Sequence, residues 1–151
     1  MALHLDAGVG DSIRQHGVET YPNECCGALY GREGVVSQTL ALPNTTEEGP
    51  RRRFLVRPQD YREAEARATA LGAELLGFYH SHPDHPAQWS PTDFAEAHWI
   101  GCSYVITAVE KGKAAITNSF LLTGTTEEDK KFIDQPVEID VATSTQPKGQ
   151  A

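Results

Sequence analysis

Residues 74–80 form an apolar run that lies between two segments with helical patterns. The run carries four large apolar side chains, and a short run of this kind bounded by sequence breaks predicts a buried strand. It leads directly into a polar, proline-broken segment over residues 81–89. The sequence therefore predicts a central strand whose carboxyl end opens onto a loop.

Helical patterns flank this strand. Upstream, Pro58 suits the first position of a helix, and apolar residues then repeat at three- and four-residue steps until Gly72. Downstream, Ser90 suits an N-cap, followed by Pro91 and by an acidic residue at the third helical position, which predicts a helix ending near Gly101. A shorter amphipathic helix is predicted over residues 7–17.

The other β-rich runs predict two hairpins, a short strand and an edge strand: 25–30 with 34–42, 102–109 with 114–122, 53–56, and 137–141. Strands interspersed with helices indicate one α/β domain, in which a central mixed β-sheet is flanked by helices. We expect this domain to cover residues 1–141. Residues 142–151 are polar, and we expect them to form a disordered tail.

Composition excludes several functional classes. A net charge of -8 and a pI near 5.1 argue against a nucleic-acid-binding protein, and the short basic cluster at residues 51–53 is expected to be a solvated loop. No run approaches the roughly 18–20 apolar residues of a membrane helix, and the N-terminus lacks a signal pattern. Three cysteines, two of them adjacent, favour a reducing cytoplasm over a disulfide-stabilised secreted fold.

Two histidines and an aspartate form a candidate metal site. His80 and His82 are two residues apart, so in an extended chain they face the same side. Asp93 lies in the first turn of a predicted helix, where the helix dipole favours an ionised carboxylate. Two imidazoles and one carboxylate suit zinc and leave one tetrahedral position open to water. Taken alone, however, Ser90 and Asp93 also fit a simple capping box.

Together these residues resemble a known family. His80-Ser81-His82-Pro83, seven residues between His82 and Ser90, and then Asp93 match the motif of the JAMM (MPN+) metalloproteases. The segment 22–31, with Glu24-Cys25-Cys26-Gly27, is similar to the glutamate segment of short, stand-alone bacterial members, and Asn44 and the region of Phe54 resemble the segment before the family's central helix.

The resemblance implies an MPN-like (cytidine-deaminase-like) fold and one Zn²⁺ per chain, held by His80, His82 and Asp93. It also implies that Glu24 shuttles the proton and that Ser90 stabilises the oxyanion. The substrate it implies is an amide or isopeptide bond after the C-terminal glycine of a ubiquitin-like or sulfur-carrier protein. It leaves open the identity of the substrate, the leaving group, the metal loading in the cell and the oligomeric state, with a homodimer as one option.

Three other functions fit parts of this sequence. The main alternative is a non-catalytic MPN scaffold in a larger assembly, although such relatives lose metal-binding residues that are present here. An amidohydrolase barrel needs about 250 residues, and a structural zinc site usually fills all four positions. Other residues are expected to have structural roles: Cys25 and Cys26 as core thiols and Ser81 as structural. His85 is expected to be exposed, with a role as fourth metal ligand as the alternative. His98 is expected on a helix surface or in packing, and Trp89 in packing rather than along a substrate groove.

Overall fold

The computed structural model describes residues 2–44 and 56–140. Its elements, in chain order, are β1 (Leu3–Leu5), α1 (Val9–Thr20), β2 (Cys26–Arg32), β3 (Val35–Leu42), α2 (Pro58–Leu71), β4 (Glu74–Pro83), α3 (Pro91–Glu96), β5 (Ser103–Glu110), β6 (Lys113–Thr123), β7 (Lys131–Gln135) and β8 (Val137–Ile139). The predicted α/β class is confirmed.

All the described strands form one mixed sheet in the order β7-β6-β5-β4-β2-β3-β1-β8. β4 lies near its centre, antiparallel to β2 and parallel to β5, as predicted for the apolar run. β7 and β8 occupy opposite edges although only Pro136 separates them in sequence. The edges of a flat eight-stranded sheet would lie about 34 Å apart. The sheet therefore curls until its edges meet.

The helices cover opposite faces of the sheet. Val9 and Ile13 of α1 pack with Leu29, Tyr79 and Val105 in one buried cluster. Ala64 and Ala68 of α2 pack with a second cluster, whose strand residues include Cys26, Ala28, Tyr30, Phe78 and Tyr104. Because side chains alternate along a strand, His80 and His82 share the face of Phe78, whereas Ser81 shares the face of Tyr79.

Two predicted boundaries are wrong at strand ends. β4 continues through Pro83, because β5 pairs with it as far as Pro83 and Val109, so both histidines belong to the strand and the loop begins at Asp84. β2 also runs through Gly31 into Arg32. The hairpin turn consists of Glu33 and Gly34, both with positive φ, as expected for a tight two-residue β-turn.

The predicted extent of the third helix is also wrong. α3 ends at Glu96, well before Gly101, and Ala97 is already extended. Nζ of Lys130 donates to the carbonyl oxygens of Phe94 and Ala97. These carbonyls therefore find a partner without another helical turn.

Local sequence patterns did not predict β1 or β7. β1 has three residues, too few to show a period, and β7 has five residues whose two apolar members, Phe132 and Ile133, are adjacent rather than alternating. The edge strand near Val137 is confirmed as β8. The basic cluster 51–53, Phe54, most of the predicted strand 53–56 and the predicted tail 142–151 lie outside the described residues. Within the described residues, no helix has the length and apolarity needed to cross a bilayer.

Candidate active site and metal centre

The three predicted ligands meet at the carboxyl end of β4. Nε2 of His80 lies 3.1 Å from Nε2 of His82, and Oδ2 of Asp93 lies 3.3 Å and 3.0 Å from these two nitrogens. Donor atoms bound to a tetrahedral zinc at about 2.0–2.1 Å are separated by roughly 3.3 Å. The triangle of donor atoms thus has the size of one face of such a site.

The hydrogen bonding of His82 orients its ring toward the triangle. Its Nδ1 lies 2.7 Å from the carbonyl oxygen of Pro86. A carbonyl only accepts, so Nδ1 donates to it. Nε2 of His82 therefore faces Oδ2 of Asp93 at 3.0 Å, where a proton or a metal cation would bridge the two atoms. Histidine ligands of metals are commonly oriented by a backbone carbonyl in this way.

Asp93 is placed by a capping box at the start of α3. Its backbone N–H donates to Oγ of Ser90, and the N–H of Ser90 donates to Oδ2 of Asp93. Burial alone would raise the pKa of Asp93, but the charge and hydrogen bonds of His80 and His82 outweigh it and hold the pKa well below its usual range. The capping box and the ligand set are therefore one structure rather than alternatives.

Glu24 lies beside the triangle and is 2% exposed. Among the described residues, its Oε1 is the buried side-chain polar atom without a hydrogen-bond partner. Burial raises the pKa of Glu24 to about 8, opposed by the charge of His82 and assisted by that of Asp93. A divalent cation held by the three ligands would lower this pKa, because it favours the carboxylate.

The pairing of β2 with β4 explains how Glu24 reaches the site. Cys26 is paired with His80 in antiparallel register, so Glu24, two residues before Cys26, lies beside His82. Between them, the N–H of Cys25 donates to Oγ of Ser81 at 2.8 Å, which confirms the structural role predicted for Ser81. Asn44 holds the same segment from the other side by donating to the main-chain carbonyl of Glu24 at 3.1 Å.

His85 departs from its prediction, because it is not fully exposed. Its ring stacks on that of His82, with centroids 4.1 Å apart and planes 20° from parallel. Its Nδ1 donates to the carbonyl of Pro83 at 2.9 Å. Glu24, His82 and His85 form a second group that could hold a metal ion, and it shares His82 with the first group.

A pocket beside His80 and Asp93 has mostly apolar walls, formed by aromatic residues on the α2 side of the sheet. Tyr61, Phe78, Tyr104 and Phe132 line it, and Trp89 stands at its side, 40% exposed and packed against Phe94 and Phe132. Trp89 thus packs, as predicted, and lines the pocket as well.

The adjacent cysteines have the environment of core thiols. Cys25 and Cys26 are both buried, and burial raises the pKa of Cys25 to about 11 and that of Cys26 further. A nucleophilic thiol needs a lowered pKa. His98, predicted on a helix surface, lies beyond α3, where its Nδ1 contacts Oε1 of Glu127 at 2.8 Å.

Comparison with known proteins agrees with this geometry. The family model described as prokaryotic homologs of the JAB domain matches residues 6–122, which is most of the chain and contains every candidate site residue. The chain belongs to this family. The resemblance to short, stand-alone JAMM/MPN+ proteins is thereby confirmed.

Two curated relatives of this JAB-family chain have named activities. A "Probable TtuB-protein conjugate cleaving protease" of Thermus thermophilus is 33% identical over 99 residues, 66% of this chain and 66% of that protein. The matched region therefore spans slightly less than two thirds of that relative. A "Desampylase" of Haloferax volcanii is 34% identical over 110 residues, 69% of this chain and 78% of that protein.

Among solved structures, a JAB1/MPN domain protein of Archaeoglobus fulgidus has a TM-score of 0.56 and 15% identity, covering 90% of this chain and 97% of that one. At this identity the likeness concerns the fold, and it confirms the predicted MPN-like architecture.

Some supporting groups could not have been predicted from sequence. The carbonyl of Pro86 orients His82, and Nδ2 of Asn118 on β6 donates to the carbonyl of Ala87 at 2.9 Å, which fixes the loop between β4 and α3. A main-chain carbonyl has no sequence signal, and Asn118 acts across strands that are distant along the chain.

Proposed function

We propose that this chain is a JAMM-type zinc metallopeptidase that hydrolyses an amide or isopeptide bond after the C-terminal glycine of a ubiquitin-like or sulfur-carrier protein. The observation that carries the proposal is the triangle of His80 Nε2, His82 Nε2 and Asp93 Oδ2, with edges of 3.0–3.3 Å and with Glu24 buried beside it. We assign His80, His82 and Asp93 as ligands of one Zn²⁺.

A zinc ion held there would supply a Lewis acid that lets water lose a proton near neutral pH. Glu24 would receive that proton and deliver it to the nitrogen of the leaving amine, as a general base and then a general acid. Its unpartnered Oε1 and its raised pKa fit a group that holds a proton for part of the cycle. Its burial also keeps bulk water from the proton it carries.

Ser90 would stabilise the negative charge that develops on the substrate carbonyl oxygen. Its Oγ accepts the N–H of Asp93 in the capping box, which uses a lone pair. The hydroxyl hydrogen is not consumed by this bond, because a hydroxyl both donates and accepts. Ser90 can therefore cap α3 and donate to the oxyanion at once, a contribution of a few kcal/mol in comparable sites.

The substrate class follows the named activities of the relatives. One is described as cleaving TtuB-protein conjugates and the other as a desampylase. We extend the conjugate-cleaving activity to this chain because the segment from residue 6 to residue 122 contains the whole candidate site. A cytoplasmic location and a homodimer stay predictions.

The test is to load the protein with zinc, incubate it with conjugates of the ubiquitin-like and sulfur-carrier proteins of its own genome, and follow release by mass spectrometry. We expect the wild type to release the carrier with a free C-terminal glycine. Glu24→Gln should keep its zinc and lose about 100- to 10,000-fold in turnover.

One control variant and two contrary outcomes complete this test. Glu19→Gln makes the same change on an exposed residue of α1 and should leave turnover intact. A Glu24→Gln variant with normal turnover would remove Glu24 from the mechanism. A wild type that binds zinc but cleaves none of the conjugates would favour the scaffold alternative.

A further inference from the structure

Lys130, at the end of the loop between β6 and β7, is a buried cation outside the site described above. Its side chain is 4% exposed. Its ammonium lies within hydrogen-bonding distance of three acceptors: the carbonyls of Phe94 at 3.0 Å and Ala97 at 2.8 Å, and Oε2 of Glu127 at 2.8 Å. An ammonium has three N–H donors, so these contacts satisfy it completely.

The helix that Lys130 contacts is too short to be stable by itself. α3 has six residues and none of them is buried. Isolated helices of this length are unstable in water, because too few hydrogen bonds offset the cost of nucleation. Its N-terminus is fixed by the capping box of Ser90 and Asp93, and Lys130 binds the carbonyls at its other end. A cation there also interacts favourably with the helix dipole.

Lys130 also contacts the residue next to Asp93. Its Nζ lies 4.9 Å from the centroid of the Phe94 ring, in a cation–π geometry. The same ring packs against Trp89 and Phe132, at centroid distances of 5.6 Å for each. Phe94 is thereby held on several sides, and its main-chain neighbour carries the carboxylate of the ligand triangle.

The loop that presents Lys130 is itself ordered by short-range bonds. The carboxylate of Asp129 accepts hydrogen bonds from the backbone N–H and hydroxyl groups of Thr125 and Thr126. Glu127 contacts both Lys130 and His98, which follows α3 in the chain. The loop therefore contacts the segment 94–98 through two of its residues, Lys130 and Glu127.

From this arrangement we infer that Lys130 is a positioning residue for the metal centre, which fixes α3 so that Asp93 stays at ligand distance from His80 and His82. The inference rests on the proposed metal site. Lys130 touches none of the three ligands, so it acts through α3. The loop between β6 and β7 is thereby part of the site's support.

The test compares zinc affinity in Lys130→Met and Lys131→Met, measured by competition with a chromophoric chelator at a temperature where both variants are folded. Methionine keeps most of the length of lysine and removes its charge and donors. Lys131 is adjacent and exposed, so it is the matched control. We expect Lys130→Met to lose about tenfold or more in zinc affinity, as for outer partners of other metal ligands, and Lys131→Met to match the wild type.

A second readout uses the metal-free protein. Amide hydrogen exchange of Phe94 and Ala97, whose N–H groups bond within α3, should be faster in Lys130→Met and unchanged in Lys131→Met. If Lys130→Met does not fold, Lys130→Gln, which keeps amide donors without the charge, should fold and show a smaller loss of zinc affinity.

The outcomes separate this inference from the proposed function. A wild type that binds no zinc at these residues overturns the proposed metal site. A wild type that binds zinc, with Lys130→Met melting at a lower temperature yet binding zinc equally well, leaves the site standing. It shows that Lys130 serves stability alone and overturns the inference.

Discussion

At the scale of single residues, Glu24 combines properties that seldom occur together. It is almost fully buried, one carboxylate oxygen has no hydrogen-bond partner among the described residues, and its pKa is raised to about 8. A buried group of this kind destabilises the fold once it is ionised. In the proposed mechanism the same environment makes Glu24 an effective proton carrier.

Because ionised Glu24 destabilises the fold, the stability of the metal-free protein should depend on pH. The pKa of Glu24 is higher in the folded state than its ordinary value of 4.5. The stability due to this group is therefore complete below about pH 4.5 and is lost progressively as the pH rises to about 8. Glutamine cannot ionise, so metal-free Glu24→Gln should exceed the wild type in free energy of unfolding by roughly 1–3 kcal/mol at pH 7.

The measurement is urea unfolding of both metal-free proteins at pH 5 and pH 8. The difference in free energy of unfolding between Glu24→Gln and the wild type should be larger at pH 8 than at pH 5. A constant gap, or a less stable variant at pH 8, would show that Glu24 is not held in its protonated form by the fold.

The sequence alone predicted that the proposed ligands would meet, but it did not predict the position of Glu24. His80 and His82 share a face because side chains alternate along a strand, and Ser90 and Asp93 carry the signature of a helix start. Glu24 approaches them through the register of β2 against β4, which no local pattern specifies. Its position at the start of a buried strand favoured it, and the family resemblance decided the choice among the glutamates.

At the scale of elements, the junction of β2 with the end of β4 builds the site. Oγ of Ser81 accepts the N–H of Cys25, and both residues are buried. This bond lies between Glu24 and His82, on the opposite face of the strands. It therefore contributes to the register on which the proposed proton transfer by Glu24 depends.

Ser81→Ala should leave the N–H of Cys25 buried without its partner and lower the free energy of unfolding by about 1–3 kcal/mol. Ser37→Ala makes the same change on an exposed residue of β3 and should alter it by less than about 0.5 kcal/mol. Chemical denaturation of the two variants checks this. Equal stabilities would mean that the hydroxyl of Ser81 is dispensable.

Elements with strong local signals were predicted correctly, and those set by tertiary contacts were not. α2 begins at Pro58 and ends before Gly72 because proline and glycine specify those ends locally. β4 was predicted too short because pairing with β5 extends it through a polar segment. α3 was predicted too long because Lys130, 33 residues beyond Ala97 in the chain, donates hydrogen bonds to the carbonyl oxygens at the end of this helix.

At the scale of the whole molecule, the closing of the sheet joins the two ends of the described chain. β1 lies between β3 and β8, and the N–H of Leu3 donates to the carbonyl of Pro136 at 2.8 Å. Val137 and Ile139 of β8 pack on the cluster of Leu3, Leu5 and Val9 beneath α1. The last described strand is thus part of the core.

Truncation tests the expected domain boundary. A chain that ends at residue 141 should melt within about 2 °C of the full chain. A chain that ends at Gln135 loses β8 and should melt roughly 5–15 °C lower, because it uncovers apolar side chains of the core. Thermal melts followed by circular dichroism decide this. Equal melting of the chain that ends at Gln135 would show that β8 is not required.

In the proposed site, His80, His82 and Asp93 hold one zinc ion that keeps a position open for water. Its most direct test is a crystal structure of the zinc-loaded protein with anomalous scattering recorded at the zinc edge. We expect one peak per chain, within about 2.0–2.2 Å of the two Nε2 atoms and the Asp93 carboxylate, with a water as fourth ligand. A peak among Glu24, His82 and His85, or an ion enclosed by four protein atoms, would contradict the claim.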